Sequence, residues 1–299
     1  MDIKTIYTEH YLPEKETRRA PSTVAGYDSS VRLHVLPRWG SLEIEEIDPD
    51  DVQAWIDGFE RPGAAEKAYK CLRQIVRWWI RKQRLRIADP TVYAELPAKE
   101  PYRPETLDAR EVAEMLRGMW GHPMEAVAIC AVTLGLRRGE VCALEWSDVN
   151  LKTGEVRVSK SRQTVRGETM TVRTKTDKSN RACYLPRFAV RRLRQLKGSG
   201  LITGEASPDK VARSIASWCK RRGLPYVSMT NMRHTWATLA VEAGVGIETV
   251  AMMLGHTDIS TAYEHYIVPR KSICQEAQAA VERYMFAHAP RSRSVQGAA

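Results

Sequence analysis

The chain has 299 residues, which at about 150 per domain suggests two domains with full-sized cores. Hydrophobic residues make up 43% and charged residues 27%, a globular balance and not a low-complexity one. The six cysteines form no CxxC pair, which argues against a zinc ribbon, a thioredoxin-like redox site and a secreted disulfide scaffold. The N-terminus lacks an apolar signal core, and the longest apolar run, Ala126 to Leu136, is too short to span a bilayer, so a cytoplasmic protein is expected.

Net charge is +10, and its distribution says more than its size. Residues 157–197 hold 13 basic side chains against two acids, Glu168 and Asp177. Residues 67–86 hold eight bases and no acid, while 43–60 hold eight acids and no base. One basic run is often only a solvated helix face. Two in separate segments favour a polyanion, whose neutralised phosphates release counterions.

In chain order, a helix is predicted over 22–36, with Val24, Tyr27, Val31 and Val35 on one face. Asp48-Pro49 starts a second helix with Val52, Trp55, Ile56 and Phe59 on its apolar face. Gly58 and Pro62-Gly63 are read as its stop. A third helix, about 64–86, carries Lys70, Arg73, Arg77, Arg81 and Arg84 along one stripe suited to a DNA groove. Trp78 lies near that stripe and stays open as a base-stacking candidate. The proline-rich stretch 98–108 reads as a linker. Beyond it, helices are expected near 112–119, 124–136, 187–197, 208–222, 231–243, 247–254 and 271–286. A small antiparallel sheet is expected over 149–185 and a disordered tail over 291–299.

Four patterns in the second half carry chemistry. These are GLRRGE at 135–140, the turn of VRTKTDKSNRACYLP at 172–186, MRHTWATL at 232–239, and LGHTDISTAYEHY at 254–266. Two guanidinium forks can grip a phosphate bidentately and stabilise its added charge. A lysine can protonate a leaving alkoxide, and a tyrosine can be the nucleophile. No acidic metal cluster is evident, and no cofactor is expected. The set describes metal-free phosphoryl transfer to tyrosine.

With these four patterns in order, and a tyrosine closing the last, the chain resembles the tyrosine recombinase (phage-integrase-like) family over roughly 20–285. The resemblance implies a mainly α fold with a small antiparallel β-sheet. It implies a helical core-site DNA-binding domain (1–97), the linker (98–108) and an α+β catalytic domain (109–290) ending in a packing helix. It also implies Arg137, Lys175, Arg233, His256 and Tyr266 as catalytic residues. Glu140 is implied as the prop of Arg137, and Arg138 as a DNA-backbone contact. Lys178 and Arg181 compete with Lys175 in the basic turn and are otherwise DNA-binding candidates. The family often has histidine where this chain has Thr230, whose hydroxyl carries no charge. Tyr263 is the rival nucleophile.

The partners so implied are duplex DNA and a homotetramer on paired sites, with accessory DNA-bending or directionality proteins as further candidates and no membrane. A mobile-element integrase acting in the nucleoid is the leading reading. A catalytically weakened DNA-binding protein and a topoisomerase-like relaxing enzyme are its rivals.

Overall fold

The structure is a computed structural model that describes residues 1–98, 102–173 and 180–255. Lys175, Lys178, His256, Tyr263, Tyr266, the helix expected over 271–286 and the tail lie outside the described residues.

The chain opens with helix that the sequence reading did not anticipate. α1 (Ile3–Thr5), a π-helical turn Ile6–Tyr11 and α2 (Leu12–Arg18) form one continuous run. α3 (Pro21–Ser30), a second π turn Val31–Val35 and α4 (Leu36–Trp39) form another, longer than the expected 22–36. Each π turn ends two residues before a proline, Pro13 or Pro37. A proline ring crowds the carbonyl four residues back and offers no donor. The chain answers with wider bonds, Leu12 N to Tyr7 O and Leu36 N to Val31 O, and stays helical.

α5 (Pro49–Asp57) starts at Asp48, whose Oδ1 accepts from Asp50 N at 2.8 Å. It ends at Gly58. Pro62 and Gly63 do not close that helix but open the next, α6 (Pro62–Gln83), because a proline in the first turn displaces no donor the helix needs. Ile3, Ile6, Tyr7, Val35, Trp39, Leu72 and Ile75 meet in one buried core.

A second core gathers residues from Leu107 to Met232. α7 (Ala109–Gly118) leads to α8 (Glu125–Leu134), which is buried on nearly every side and therefore apolar all round. After α9 (Arg138–Cys142) come β1 (Glu155–Val158), β2 (Lys160–Val165), β3 (Glu168–Arg173) and β4 (Arg181–Tyr184). They form two antiparallel ladders, β1 with β4 and β2 with β3, where one sheet was expected. The segment 172–186 is thus no simple strand–turn–strand, since β3 and β4 pair in different ladders. The β2–β3 hairpin turns at Arg166-Gly167, both at positive φ (50° and 87°), as a two-residue hairpin loop requires. Its tip reaches the first core's helices, with Arg166 Nη2 3.3 Å from Glu16 and 3.7 Å from Asp28.

α10 (Arg187–Leu196), α11 (Pro208–Arg222), α12 (Met229–Glu242) and α13 (Ile247–Leu254) complete the described chain, close to their expected positions. Tyr102 and Leu107, from the expected linker, hydrogen-bond Asn231 and Thr235 of α12. Among the described residues no helix is long and apolar enough to cross a membrane.

Candidate active site

Two helix ends build the site. α8 stops at Gly135 (φ +59°), and α13 stops at Gly255 (φ +68°). The last carbonyls of a helix lack intrahelical donors and carry the negative end of its dipole, so cations settle there. A Cβ on Gly135 would lie 2.8 Å from Leu254 and Trp236, so the two ends meet only because that position is glycine.

Arg233 projects from the first turns of α12 and is 6% exposed. Its Nη1 donates to Gly135 O at 2.9 Å and its Nη2 to Leu254 O at 2.8 Å. One guanidinium therefore ties both helix ends together. Arg137 caps α9 and is more open, its side chain 46% exposed. Its Nη2 donates to Gly255 O at 3.4 Å. The two arginines, 96 apart in numbering by subtraction, thus address adjacent carbonyls.

Glu140 is joined to Arg137 by two hydrogen bonds. Its Oε1 accepts from Arg137 Nη1 at 2.8 Å, and its Oε2 accepts from the Arg137 backbone N–H at 3.0 Å. Burial alone would raise its pKa. The Arg181 hydrogen bonds and charge, with the Arg137 backbone donor and charge, outweigh that and hold it below the ordinary carboxylate value. Gly139 allows this turn to sit on β2, because a Cβ there would run into Ser161 Oγ and come 2.9 Å from the Arg162 carbonyl.

Arg181 departs from expectation. It does not face outward on a DNA-contacting turn. Its side chain is 8% exposed and paired with Glu140, because burial of that carboxylate demands a cation. Thr230 is exposed, one turn before Arg233. Arg138 reaches Asp209 at 2.8 Å with both side chains about half exposed, a pairing that water and salt weaken.

A second basic surface lies on α6. Lys70, Arg73, Arg77 and Arg81 line one recess of about 700 Å³, joined by Lys15 from α2, which sequence reasoning missed. Only proximity across 55 or more residues reveals Lys15, so no local pattern marks it. Arg84 does not belong to the stripe. α6 ends at Gln83, and Arg84 takes the left-handed cap (φ 55°) beyond it. Trp78 also borders this recess, but it is 6% exposed, donates to Glu14 at 3.2 Å and packs edge-on against Tyr11, which leaves little of its ring open to a base.

Residues 106–272 match the model of the phage integrase family, and residues 6–59 match the phage integrase N-terminal SAM-like domain. A tyrosine recombinase XerC-like protein of Caldanaerobacter subterraneus subsp. tengcongensis is 23% identical, covering 85% of this chain and 76% of that one. The integrase of Mycobacterium phage FRAT1 is 28% identical, covering 84% and 79%. Among solved structures, the Tn1549 transposon integrase in complex with transposon right end DNA superposes with a TM-score of 0.78 at 16% identity, covering 95% of this chain and 99% of that one. A lambda integrase tetramer bound to a Holliday junction gives 0.69 at 17%, covering 89% and 78%.

Proposed function

This chain belongs to the phage integrase family of tyrosine recombinases, and on that premise we propose that it cuts and rejoins duplex DNA at a specific site through a 3′-phosphotyrosine intermediate. The observation that carries the reading is the pair of arginines on adjacent carbonyls, one buried and fixed, one half exposed. In this mechanism Arg137 and Arg233 hold the non-bridging oxygens of the scissile phosphate, with His256 beside them. The Tyr266 hydroxyl attacks phosphorus and releases its proton to solvent. The bond to the 5′-oxygen breaks, and Lys175 supplies the proton that makes the leaving 5′-hydroxyl. A 5′-hydroxyl of a second duplex reverses the step, so the phosphodiester energy is kept. Thr230 adds one hydrogen bond from an uncharged donor, worth about 1.5–3 kcal/mol to a charged acceptor.

Residues 1–97 and 109–290 act as two halves of a clamp, the first gripping the backbone through the α6 groove. Exchange between duplexes needs four protomers, packed through residues 271–286. The DNA-bound Tn1549 integrase and the lambda integrase tetramer on a Holliday junction support these partners, and the similarity to phage and transposon integrases supports a mobile-element role.

A nicked duplex of the cognate site tests the reading. The 5′-hydroxyl diffuses away with its short strand, and the protein stays covalently attached. Absence of adduct from wild-type protein that binds the site would leave only a DNA-binding protein. Adduct without exchange in a two-site assay would leave a relaxing enzyme.

A further inference from the structure

We propose that Arg181 is a positioning residue of this active site, setting both the orientation and the free charge of Arg137 through Glu140 and the end of α13. The inference rests on the function proposed above. Arg181 opens β4, and its guanidinium spreads over two elements that are distant in sequence. Nη1 and Nη2 donate to the two Glu140 oxygens at 3.2 and 2.9 Å, and Nε donates to Met253 O at 2.9 Å. The Glu140 and Arg181 side chains are 3% and 8% exposed, so the pairing is dry and no phosphate reaches Arg181 while it stands.

Three successive carbonyls at the end of α13 are thus taken by three arginines. Met253 accepts from Arg181, Leu254 from Arg233, and Gly255 from Arg137. His256 is the next residue in sequence. Arg181 fixes this terminus from the β4 side, and its fork fits the carboxylate and carbonyl together, which an ammonium does not.

The charges matter as much as the geometry. Glu140 carries one negative charge and faces two guanidinia. Arg181 engages both oxygens, whereas the Arg137 side chain reaches only Oε1. Arg181 therefore takes up most of the carboxylate. Arg137 keeps its orientation but, among the described residues, retains open N–H groups and a share of its charge for a phosphate. Without Arg181, Glu140 can close bidentately on Arg137 and draw it from the substrate.

Two variants test this by single-turnover adduct formation on the nicked duplex, beside DNA titration and thermal melting. Arg181→Lys keeps a cation by Glu140 but cannot bridge to Met253. Arg181→Met combined with Glu140→Gln leaves no buried ion unpaired. A positioning role predicts that both fold and bind DNA within about twofold of wild type, that Arg181→Lys cleaves about 10²-fold more slowly at saturating DNA, the usual consequence of a small misplacement, and that the double variant cleaves more slowly than Glu140→Gln alone. A folded variant that cleaves like wild type overturns the proposal. So does a loss of binding that matches the loss of rate, or failure of both variants to fold, since either makes Arg181 only a structural residue. Wild-type protein without adduct would instead remove the proposed function, a result that the variants do not affect.

Discussion

Arg233 donates to the Gly135 carbonyl at 2.9 Å across 98 residues of chain, so a buried cation on α12 is held by the end of α8. The same guanidinium holds Leu254 O, the last carbonyl of α13. Its position is over-determined before any phosphate arrives. That is the preorganisation which charge stabilisation in a transition state requires.

Arg233→Ala should therefore lower adduct formation at least about 10²–10³-fold, the loss seen when one preorganised donor is removed. It also strips a donor from two carbonyls, at about 1–3 kcal/mol for each group left unsatisfied, so the assay belongs below the variant's melting temperature. DNA affinity should change far less than rate. Cleavage near the wild-type rate in the folded variant would place the clamp elsewhere.

Gly135→Ala tests the junction of the two helix ends. An alanine there must hold a left-handed conformation, at about 1–2 kcal/mol, and overpack against Leu254 and Trp236, at about 1–3 kcal/mol. Chemical denaturation should show a loss of at least about 2 kcal/mol. An unchanged midpoint would mean that the ends can separate freely.

How much of this was legible in the sequence depends on the signal. α8, α11 and α13 were readable because each couples an apolar pattern to a glycine that ends it, Gly135, Gly223 and Gly255. Residues 3–18 were missed although Ile3, Ile6, Tyr7 and Tyr11 keep helical spacing, because α2 adds no buried residue and the apolar pattern stops after two turns. Arg137, Glu140 and Arg233 were found from local motifs that do meet in space. Arg181 was misplaced because a basic run looks alike whether a given member points out or in. Burial decides that, and burial follows from a carboxylate 41 residues away.

Acid should loosen this network. The Glu140 carboxyl is held below its ordinary pKa in the fold, so the unfolded chain binds that proton more readily. Its contribution is complete above the ordinary carboxylate range and fades as pH falls through the depressed value. Glu140→Gln should cost about 3 kcal/mol near neutrality, the lower end for breaking a buried pair. The gap between variant and wild type should close toward acid pH in denaturation curves. A constant gap would show that Glu140 contributes nothing by charge.

The α6 groove predicts a salt dependence with a built-in control. Arg73→Ala with Arg77→Ala should weaken DNA binding and reduce the slope of log affinity against log salt by about 0.9 per lost phosphate contact. Arg84→Ala should leave that slope unchanged, because Arg84 caps the helix beyond the groove. Equal effects from the two substitutions would mean that the groove is only one part of a diffuse positive surface.

The nucleophile decides the chemistry. Tyr266 and Tyr263 are three apart in a stretch outside the described residues, and both follow the LGH motif. Phenylalanine preserves the ring and removes only the hydroxyl. Tyr266→Phe should fold, bind DNA with near-wild-type affinity and form no adduct on the nicked duplex. Tyr263→Phe should still form it. Peptide mapping of the wild-type adduct should find the phosphodiester remnant on Tyr266. A remnant on Tyr263 would move the nucleophile by three residues and leave the reaction class intact. Adduct from the Tyr263→Phe, Tyr266→Phe double variant would require a nucleophile other than either tyrosine, and with it a different reaction class.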